Sequence, residues 1–135
     1  YRLPTRLEWD YACRGVSRDF RYGTQTGELS GDLANYADPD GRTAGLKSSG
    51  NHPPTPLDLY DMSGNVWEWT SDEYTGKTGP GFLKQIFGTF FSDSGLRIIK
   101  GGSYDSHQED LRCGNIASAP LITGNPDIGF RLICE

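Results

Sequence analysis

The feature that most constrains this chain is the stretch from Val16 to Pro56, which shows no sustained hydrophobic period. It is rich in Gly, Ser, Asn, Asp and Pro, which favour turns, so we expect loop with at most short strands. Loops of this length in compact domains are uncommon unless function or a specific contact fixes them. Because the 135 residues include 18 Gly and 8 Pro, we predict one loop-rich domain over 1–135 rather than a helical bundle.

Charge and cysteine content exclude several functions. The net charge of −5 argues against nucleic-acid binding, which needs clustered Lys and Arg, and no apolar segment is long enough to span a membrane. Cys13, Cys113 and Cys134 match no zinc spacing. One disulfide with a free thiol and three buried thiols both remain open, and a free structural thiol is our default for Cys113. The N-terminus does not fix the localisation; extracellular or cell-surface display is compatible with the sequence.

The segment "LPTRLEWDYACRG" predicts a helix with both ends marked. Thr5 is a candidate N-cap, and Glu8, three residues later, completes a capping box. Gly15 suits the position after the helix, where a left-handed backbone is common. Leu7 and Tyr11 are four residues apart, so we expect their shared face to pack on a sheet.

The segment "NVWEWT" predicts a strand whose side chains alternate between two faces. We expect Trp67 and Trp69 to pack into the core, with Glu68 on the opposite face. Asp61 precedes a turn at Ser63 and Gly64 that could bring its carboxylate near Glu68. Two converging carboxylates repel each other unless a proton or a metal lies between them.

Two further strands are predicted near the C-terminus. "LRIIKGGSY" reads as a buried strand that ends in a Gly pair, and "IGFRLICE" alternates with Ile128, Phe130, Leu132 and Cys134 on one face. Residues 105–127 lack a clear period, so we expect mostly surface loop there. Residues 75–94, with the apolar run "FLKQIFGTFF", are the least informative.

A cluster of oxygen-bearing side chains lies in "ANYADPDGRT". Asn35, Asp38 and Asp40 surround a turn at Gly41. Hard cations such as calcium take six to eight oxygen ligands of this type. A solvated turn in which Asp caps its own backbone explains the same residues, and short acidic turns are common, so the segment alone favours the turn.

Four motifs together resemble a known family. "YRLPTRLEWDYACRG", "LYDMSGNVWEWTSD", "IIKGGSY" and "IGFRLI" have the order and spacing of the formylglycine-generating-enzyme/sulfatase-modifying-factor domain. The resemblance implies an α+β fold, a variant of the C-type lectin fold, loop-rich, with short twisted antiparallel strands and few helices. The family domain has further strands and a helix before "YRLPT", so another segment or chain would supply the missing N-terminal part.

The resemblance also implies two structural calcium sites, and we expect calcium as the cofactor. For the first site this favours the metal over the solvated turn, with Asp38 as a substitute for Asp40. The second site would turn Glu68 toward a cation that ties the turn to the strand. The implied ligands are Asn35, the Tyr36 carbonyl, Asp40 and the Arg42 carbonyl in the first site, and Asp61, the Gly64 and Val66 carbonyls and Glu68 in the second.

The catalytic chemistry of the family depends on two copper-binding cysteines after "GGSY". This chain has Ser106 and Leu111 at those positions. Cu(I) requires soft thiolates, which neither side chain supplies, and Cys113 alone cannot form a two-thiolate site. Asp105, Ser106 and His107 are sequence neighbours, which cannot adopt the geometry of a hydrolytic triad. We therefore expect no bound copper and a domain that is not an enzyme.

The remaining hypothesis is ligand binding by the surface of about residues 104–128. Variable proteins of diversity-generating retroelements resemble the same domain and place their diversified residues in this interval. We predict such a binding domain, with a protein or other surface ligand. The alternatives are a divergent oxidase of the family and an accessory module of a larger signalling or envelope protein. The candidate contact residues are Tyr104, Asp105, Ser106, His107, Asn115, Ile116, Ser118, Leu121 and Ile122.

Overall fold

Within the described residues, a four-stranded sheet and one α-helix form the regular structure. The computed structural model describes residues 1–17, 19–75, 95–122 and 124–135, so the run "FLKQIFGTFF" lies outside the described residues. No described helix has the length and apolar character needed to cross a membrane. The elements are helix α1 (Arg6–Cys13), strands β1 (Trp67–Glu73), β2 (Leu96–Lys100), β3 (Ala117–Pro120) and β4 (Ile128–Gly129), and a 3₁₀ helix at Gln108–Leu111.

The sheet is mixed and follows the spatial order β3-β2-β1-β4. β2 pairs antiparallel with β1 and β3, as expected, but β4 lies parallel to β1. β3 falls in the interval for which mostly loop was predicted. It forms because Leu96–Ile99 offers a free edge, which residues 117–120 complete. The few helices and short strands confirm the predicted loop-rich α+β class.

Helix α1 begins and ends where the sequence predicts. The Thr5 hydroxyl accepts a hydrogen bond from the Glu8 backbone N–H, and the Glu8 carboxylate accepts one from the Thr5 N–H, which completes the capping box. Gly15 has a φ of +71° directly after the C-cap. The predicted inward face is wrong. Leu7 is 67% exposed and Tyr11 is exposed, because Trp9 and Cys13 occupy the sheet-facing side.

The core is divided into two small clusters. The first contains Trp9, Met62 and a disulfide between Cys13 and Cys113, so the assignment of Cys113 as a free thiol was wrong. Sequence spacing gave no sign of this pair, because its cysteines are 100 residues apart. The second cluster contains Tyr22, Ala34 and Leu111. Cys134 is exposed and free.

Single backbone contacts fix the long loop to these clusters. The Asn65 N–H donates to the Asn35 carbonyl at 2.8 Å, and Asn35 and Gly64 form an isolated parallel bridge. Gly64 has a φ of +88°, and a Cβ there would overlap the Asn35 carbonyl oxygen. Glycine is therefore required at this close approach of two backbones.

The alternation of β1 is as predicted, but its faces are reversed. Glu68 and Thr70 are buried, whereas Trp67 and Trp69 are only half-buried. The reason is that Glu68 and Thr70 face α1 and have buried polar partners, which a hydrophobic pattern does not reveal. In the C-terminal segment, Phe130 and Leu132 are exposed. The inward positions there belong to Arg131, which meets Glu68, and to Ile133, which pairs with Arg2.

Candidate functional site

A group of charged side chains and one indole joins α1 to the sheet. We call it the polar junction, and its members are Trp9, Asp10, Glu68, Lys100 and Arg131. Glu68 of β1 lies opposite Lys100 of β2 in the register of the sheet. Both side chains are buried, with Lys100 at 0% exposure. The Trp9 indole serves both charges: its N–H donates to Glu68 Oε2 at 2.7 Å, and its ring lies 5.3 Å from Lys100 Nζ.

Glu68 binds the guanidinium of Arg131 with both carboxylate oxygens. Arg131 Nε and Nη2 each donate to one oxygen at 2.6 Å, and Nη2 also donates to the Tyr60 carbonyl at 3.0 Å. Burial opposes the charge of Arg131, but the hydrogen bonds to Glu68 and the nearby Asp61 charge raise its pKa. The guanidinium thus supplies the positive charge that two converging carboxylates require.

Lys100 forms the second ion pair of the junction. Its Nζ lies 2.6 Å from Asp10 Oδ1 and donates to the carbonyls of Cys113 and Asn115. Burial lowers the pKa of Lys100, and the ion pair with Asp10 opposes that shift. The buried ammonium thus has two carbonyl acceptors and a carboxylate counter-ion, which offset the cost of burying its charge.

The residues of the second implied calcium site are directed elsewhere. The Glu68 carboxylate is bonded to Arg131, and Asp61 Oδ2 accepts a hydrogen bond from the Gly50 N–H at 2.8 Å. His52 Nδ1, buried without a hydrogen-bond partner, faces Asp61 Oδ1 at 4.0 Å. The oxygen chemistry suits calcium, but Arg131 occupies Glu68 in this arrangement, so a calcium ion would have to displace that guanidinium.

The first implied calcium site is arranged as a turn. Asp38 Oδ1 accepts hydrogen bonds from the backbone N–H groups of Asp40 and Arg42. The Arg42 side chain pairs with Asp38 and Asp40, and the Arg42 N–H lowers the pKa of Asp38. Asn35 donates to the Gly45 carbonyl and to Asn65. Among the described residues no three acidic, His or Cys side chains converge as a metal site. Calcium binding stays a prediction.

The two positions that correspond to copper ligands both have structural contacts. The Ser106 hydroxyl is buried and accepts a hydrogen bond from the Ser103 N–H at 2.9 Å, inside the turn after the Gly pair. Leu111 is fully buried in the second cluster. Ser106 is therefore the one candidate contact residue whose side chain is turned inward.

The 104–128 surface meets the 36–39 turn in what we call the loop cleft, a cavity of about 280 Å³. The Ala37 N–H donates to the Ser106 carbonyl at 3.0 Å and holds the two segments together. The Thr43 hydroxyl donates to the Tyr104 carbonyl at 2.6 Å beside it. The lining residues are Tyr36, Ala37, Asp38, Pro39, His107, Gln108 and Glu109.

The other candidate contact residues do not gather in this cleft. Asp105 is exposed near it, Tyr104 is half-buried, and Asn115 lines a separate cavity. Ile116, which precedes β3, and Ser118 are half-buried at the edge of the sheet. Leu121 and Ile122 follow β3, and Ile122 is 94% exposed. The predicted surface thus consists of a cleft and an apolar strand edge.

Sequence reasoning missed the arginines and the lysine of the site. Arg131 and Lys100 carry the polar junction, yet each was treated only as part of a motif. The available signal was a charged residue inside a strand that was predicted to be buried, since such a charge needs a partner. A second missed group, Arg14, Arg21 and Arg112, comes from three separated segments, and nothing in the sequence joins them.

Comparisons with known proteins agree with this geometry. The family description FGE-sulfatase, the sulfatase-modifying factor enzyme 1-like domain, matches residues 1–135. The chain is 34% identical to the formylglycine-generating enzyme of Mus musculus, over 99% of the chain and 39% of the mouse protein. It is also 34% identical to the serine/threonine-protein kinase pkn1 of Chlamydia pneumoniae, over 96% of the chain and 20% of the kinase.

A solved structure extends the likeness to a different kind of protein. Treponema denticola variable protein 1 matches with a TM-score of 0.67 and 25% identity, over 96% of this chain and 45% of that one. The chain therefore spans less than half of each of these three relatives. Since the family description covers all 135 residues, the chain belongs to the sulfatase-modifying factor enzyme 1-like domain family.

Proposed function

We propose that this domain binds a protein or other surface ligand through residues 104–128 and performs no oxidation. One observation carries the proposal. Where the family's copper chemistry requires two thiolates, Ser106 and Leu111 have buried structural contacts, while the neighbouring Asp105 and His107 are exposed. The side chains exposed on this segment suit contact rather than redox chemistry.

The sharpest version of the proposal is a variable protein of a diversity-generating retroelement. The likeness to Treponema denticola variable protein 1 supports it. So does the architecture, because the scaffold holds this segment through the Cys113 disulfide and through the Cys113 and Asn115 carbonyls, and not through its exposed side chains. Such a scaffold tolerates many exposed sequences, since loop substitutions away from buried contacts change stability little.

Sequencing this gene deeply across its source population tests that version. We expect substitutions to concentrate between positions 104 and 128, with Gly101–Ser103 and Gly129–Arg131 unchanged. A uniform gene would remove the retroelement version and leave a binding domain with a fixed ligand. Titration with Cu(I) and a cysteine peptide under oxygen tests the oxidase alternative. We expect no stoichiometric copper binding and no oxygen uptake. Copper binding or oxygen uptake by the protein would overturn the proposal.

A second function is favoured by the kinase relative. The matching segment is 20% of pkn1, so in that protein this type of domain accompanies a much larger remainder. An accessory module would act on or position the rest of its own chain. Deleting the domain from the natural full-length protein separates the two: an accessory role predicts a changed activity of the remainder, whereas ligand display predicts only lost binding.

A further inference from the structure

A cavity of about 360 Å³ brings together three arginines from distant segments, and we call it the arginine cavity. Arg14 follows α1, Arg21 lies in the long loop, and Arg112 follows the 3₁₀ helix. They meet because the disulfide joins Cys13 to Cys113 and because the Cys113 N–H donates to the Arg21 carbonyl at 2.8 Å. The lining residues are Arg14, Arg21, Glu109, Arg112, Gly114 and Asn115.

Among the described residues, the three guanidinium groups of this cavity have no counter-ion within salt-bridge distance. Across residues 1–17, 19–75, 95–122 and 124–135, none of the three arginines forms a salt bridge. Arg112 Nε is buried and has no hydrogen-bond partner. Buried donors in folded proteins are nearly always paired, so the Arg112 guanidinium is unsatisfied among the described residues. This nitrogen is itself closed to solvent, so a ligand in the cavity would contact the other guanidinium nitrogens. Arg131 differs from these arginines, because its Nε and Nη2 both donate hydrogen bonds to the Glu68 carboxylate.

The shape of the cavity also favours a ligand. A Cβ on Gly114 would stand 3.0 Å from Arg14 Nη2, so the missing side chain leaves space for that guanidinium. Arg21 and Glu109 are exposed, which makes the cavity reachable from solvent. Hydrogen bonds from its own backbone N–H and from the Gln108 side chain lower the pKa of Glu109, and the Arg112 charge adds a smaller effect, so this carboxylate is ionised at neutral pH. With three guanidinium groups and one carboxylate, the cavity has a formal charge of +2.

We propose that the arginine cavity binds a phosphomonoester group. Such a group carries about −1.5 to −2 charges at pH 7 and presents three strong acceptor oxygens, which matches the charge and the free donors. Guanidinium groups hold phosphate through paired N–H donors. The cavity is larger than a bare phosphate, which leaves room for the carrier. This inference goes beyond the proposed function and does not depend on it, because two of the arginines lie outside residues 104–128.

Calorimetric titration of the purified protein with methyl phosphate tests the proposal, with methyl sulfate as a singly charged control of the same shape. We expect saturable binding of methyl phosphate and at least tenfold weaker binding of methyl sulfate. Arg21→Gln and Arg112→Gln should each weaken binding about tenfold, the size of one charged hydrogen bond. Glu109→Gln should strengthen it, and Arg97→Gln, a matched change on β2 away from both cavities, should leave it unchanged.

The outcomes separate cleanly. Near-ultraviolet circular dichroism shows whether Arg112→Gln disturbs the fold. Arg21 is exposed, so Arg21→Gln tests the proposal even if the Arg112 variant is disturbed. N-acetyl-O-phosphoserine amide and ribose 5-phosphate serve as two further probes; tighter binding of the first indicates a peptide carrier, and of the second a small sugar phosphate. No saturable binding of methyl phosphate, equal binding of methyl sulfate, or equal affinity in the Arg21 and Arg97 variants would overturn the proposal.

Discussion

The polar junction and the arginine cavity both contain cationic side chains, but the two regions differ in whether those side chains have bonding partners. In the junction, Lys100 and Arg131 lie among carboxylates and carbonyls that take up their donors. In the cavity, three guanidinium groups lack salt bridges within the described residues, and Arg112 Nε lacks any partner. A buried charge with its partners present stabilises one arrangement of the chain, whereas a charge without them leaves binding energy for a ligand.

The disulfide connects these two regions, and breaking it has the largest expected effect. Cys113 contributes its carbonyl to Lys100 and is followed by Gly114 of the cavity. The Cys13→Ala, Cys113→Ala double variant should lose about 4 kcal/mol of unfolding free energy, because the bond closes a loop of 100 residues. Urea unfolding measures the loss. Cys134→Ala, which removes the exposed free thiol, is the control and should change little. Equal stability of all three proteins would contradict the assigned pair.

Breaking the polar junction alone should cost somewhat less. Glu68→Gln keeps the size of the side chain but leaves the Arg131 charge without its partner, so we expect a loss of about 3 kcal/mol. Glu73→Gln on the same strand is the matched control. It removes an exposed ion pair with Arg97 and should cost less than about 0.5 kcal/mol. Equal losses in urea unfolding would show that the junction is no stronger than a surface pair.

Calcium tests whether Glu68 can exchange Arg131 for a metal. We expect millimolar calcium to raise the melting temperature, equivalent to about 1.4 kcal/mol at ten times the dissociation constant. Arg131→Gln should enlarge the calcium response because it frees the Glu68 carboxylate, and Glu68→Gln should remove most of it. A melting temperature that calcium and chelator both leave unchanged in wild type and Arg131→Gln would eliminate the two sites.

The smallest expected effect is an acid sensitivity at the start of α1. Hydrogen bonds from Arg2, and then from Thr5, lower the pKa of Glu8 below its ordinary value of 4.5. Glu8 therefore takes up a proton more readily in the unfolded chain than in the folded chain. The stabilisation by Glu8 is fully present above pH 4.5 and is lost as the pH falls below it. In urea unfolding between pH 5 and 3, Glu8→Gln should show a shallower decline than wild type; parallel declines would contradict the assignment.

Local signals in the sequence predicted the parts that depend on neighbouring residues. The α1 caps, the Gly pair after β2 and the alternation of β1 follow from contacts within a few residues, and all three are present. The inward face of α1 was mispredicted, because Leu7 with Tyr11 and Trp9 with Cys13 have the same spacing. Periodicity cannot choose between two such faces, since the choice depends on what the helix packs against.

Parts of the candidate site that lie within one segment could be predicted from the sequence, whereas parts that join remote segments could not. The 104–128 surface is largely continuous in sequence, so candidate residues could be named there in advance. Asp105, His107, Leu121 and Ile122 are exposed, whereas Gln108 and Glu109 of the loop cleft were not named. The partner of Glu68 was not predicted, because Arg131 is 63 residues away and reaches it through the parallel pairing of β4 with β1. The arginine cavity draws on three segments that only the disulfide and the Tyr22–Arg112 bridge bring together.

By itself the sequence determined the ends of α1 and the absence of a cysteine pair after "GGSY", because each is a property of adjacent residues. The class of fold followed from the resemblance of four ordered motifs to the family. The tertiary structure alone decided which charges are satisfied. Charge pairing depends on distances of a few ångströms between side chains from remote segments, and those distances exist only after the sheet, the long loop and the disulfide have formed.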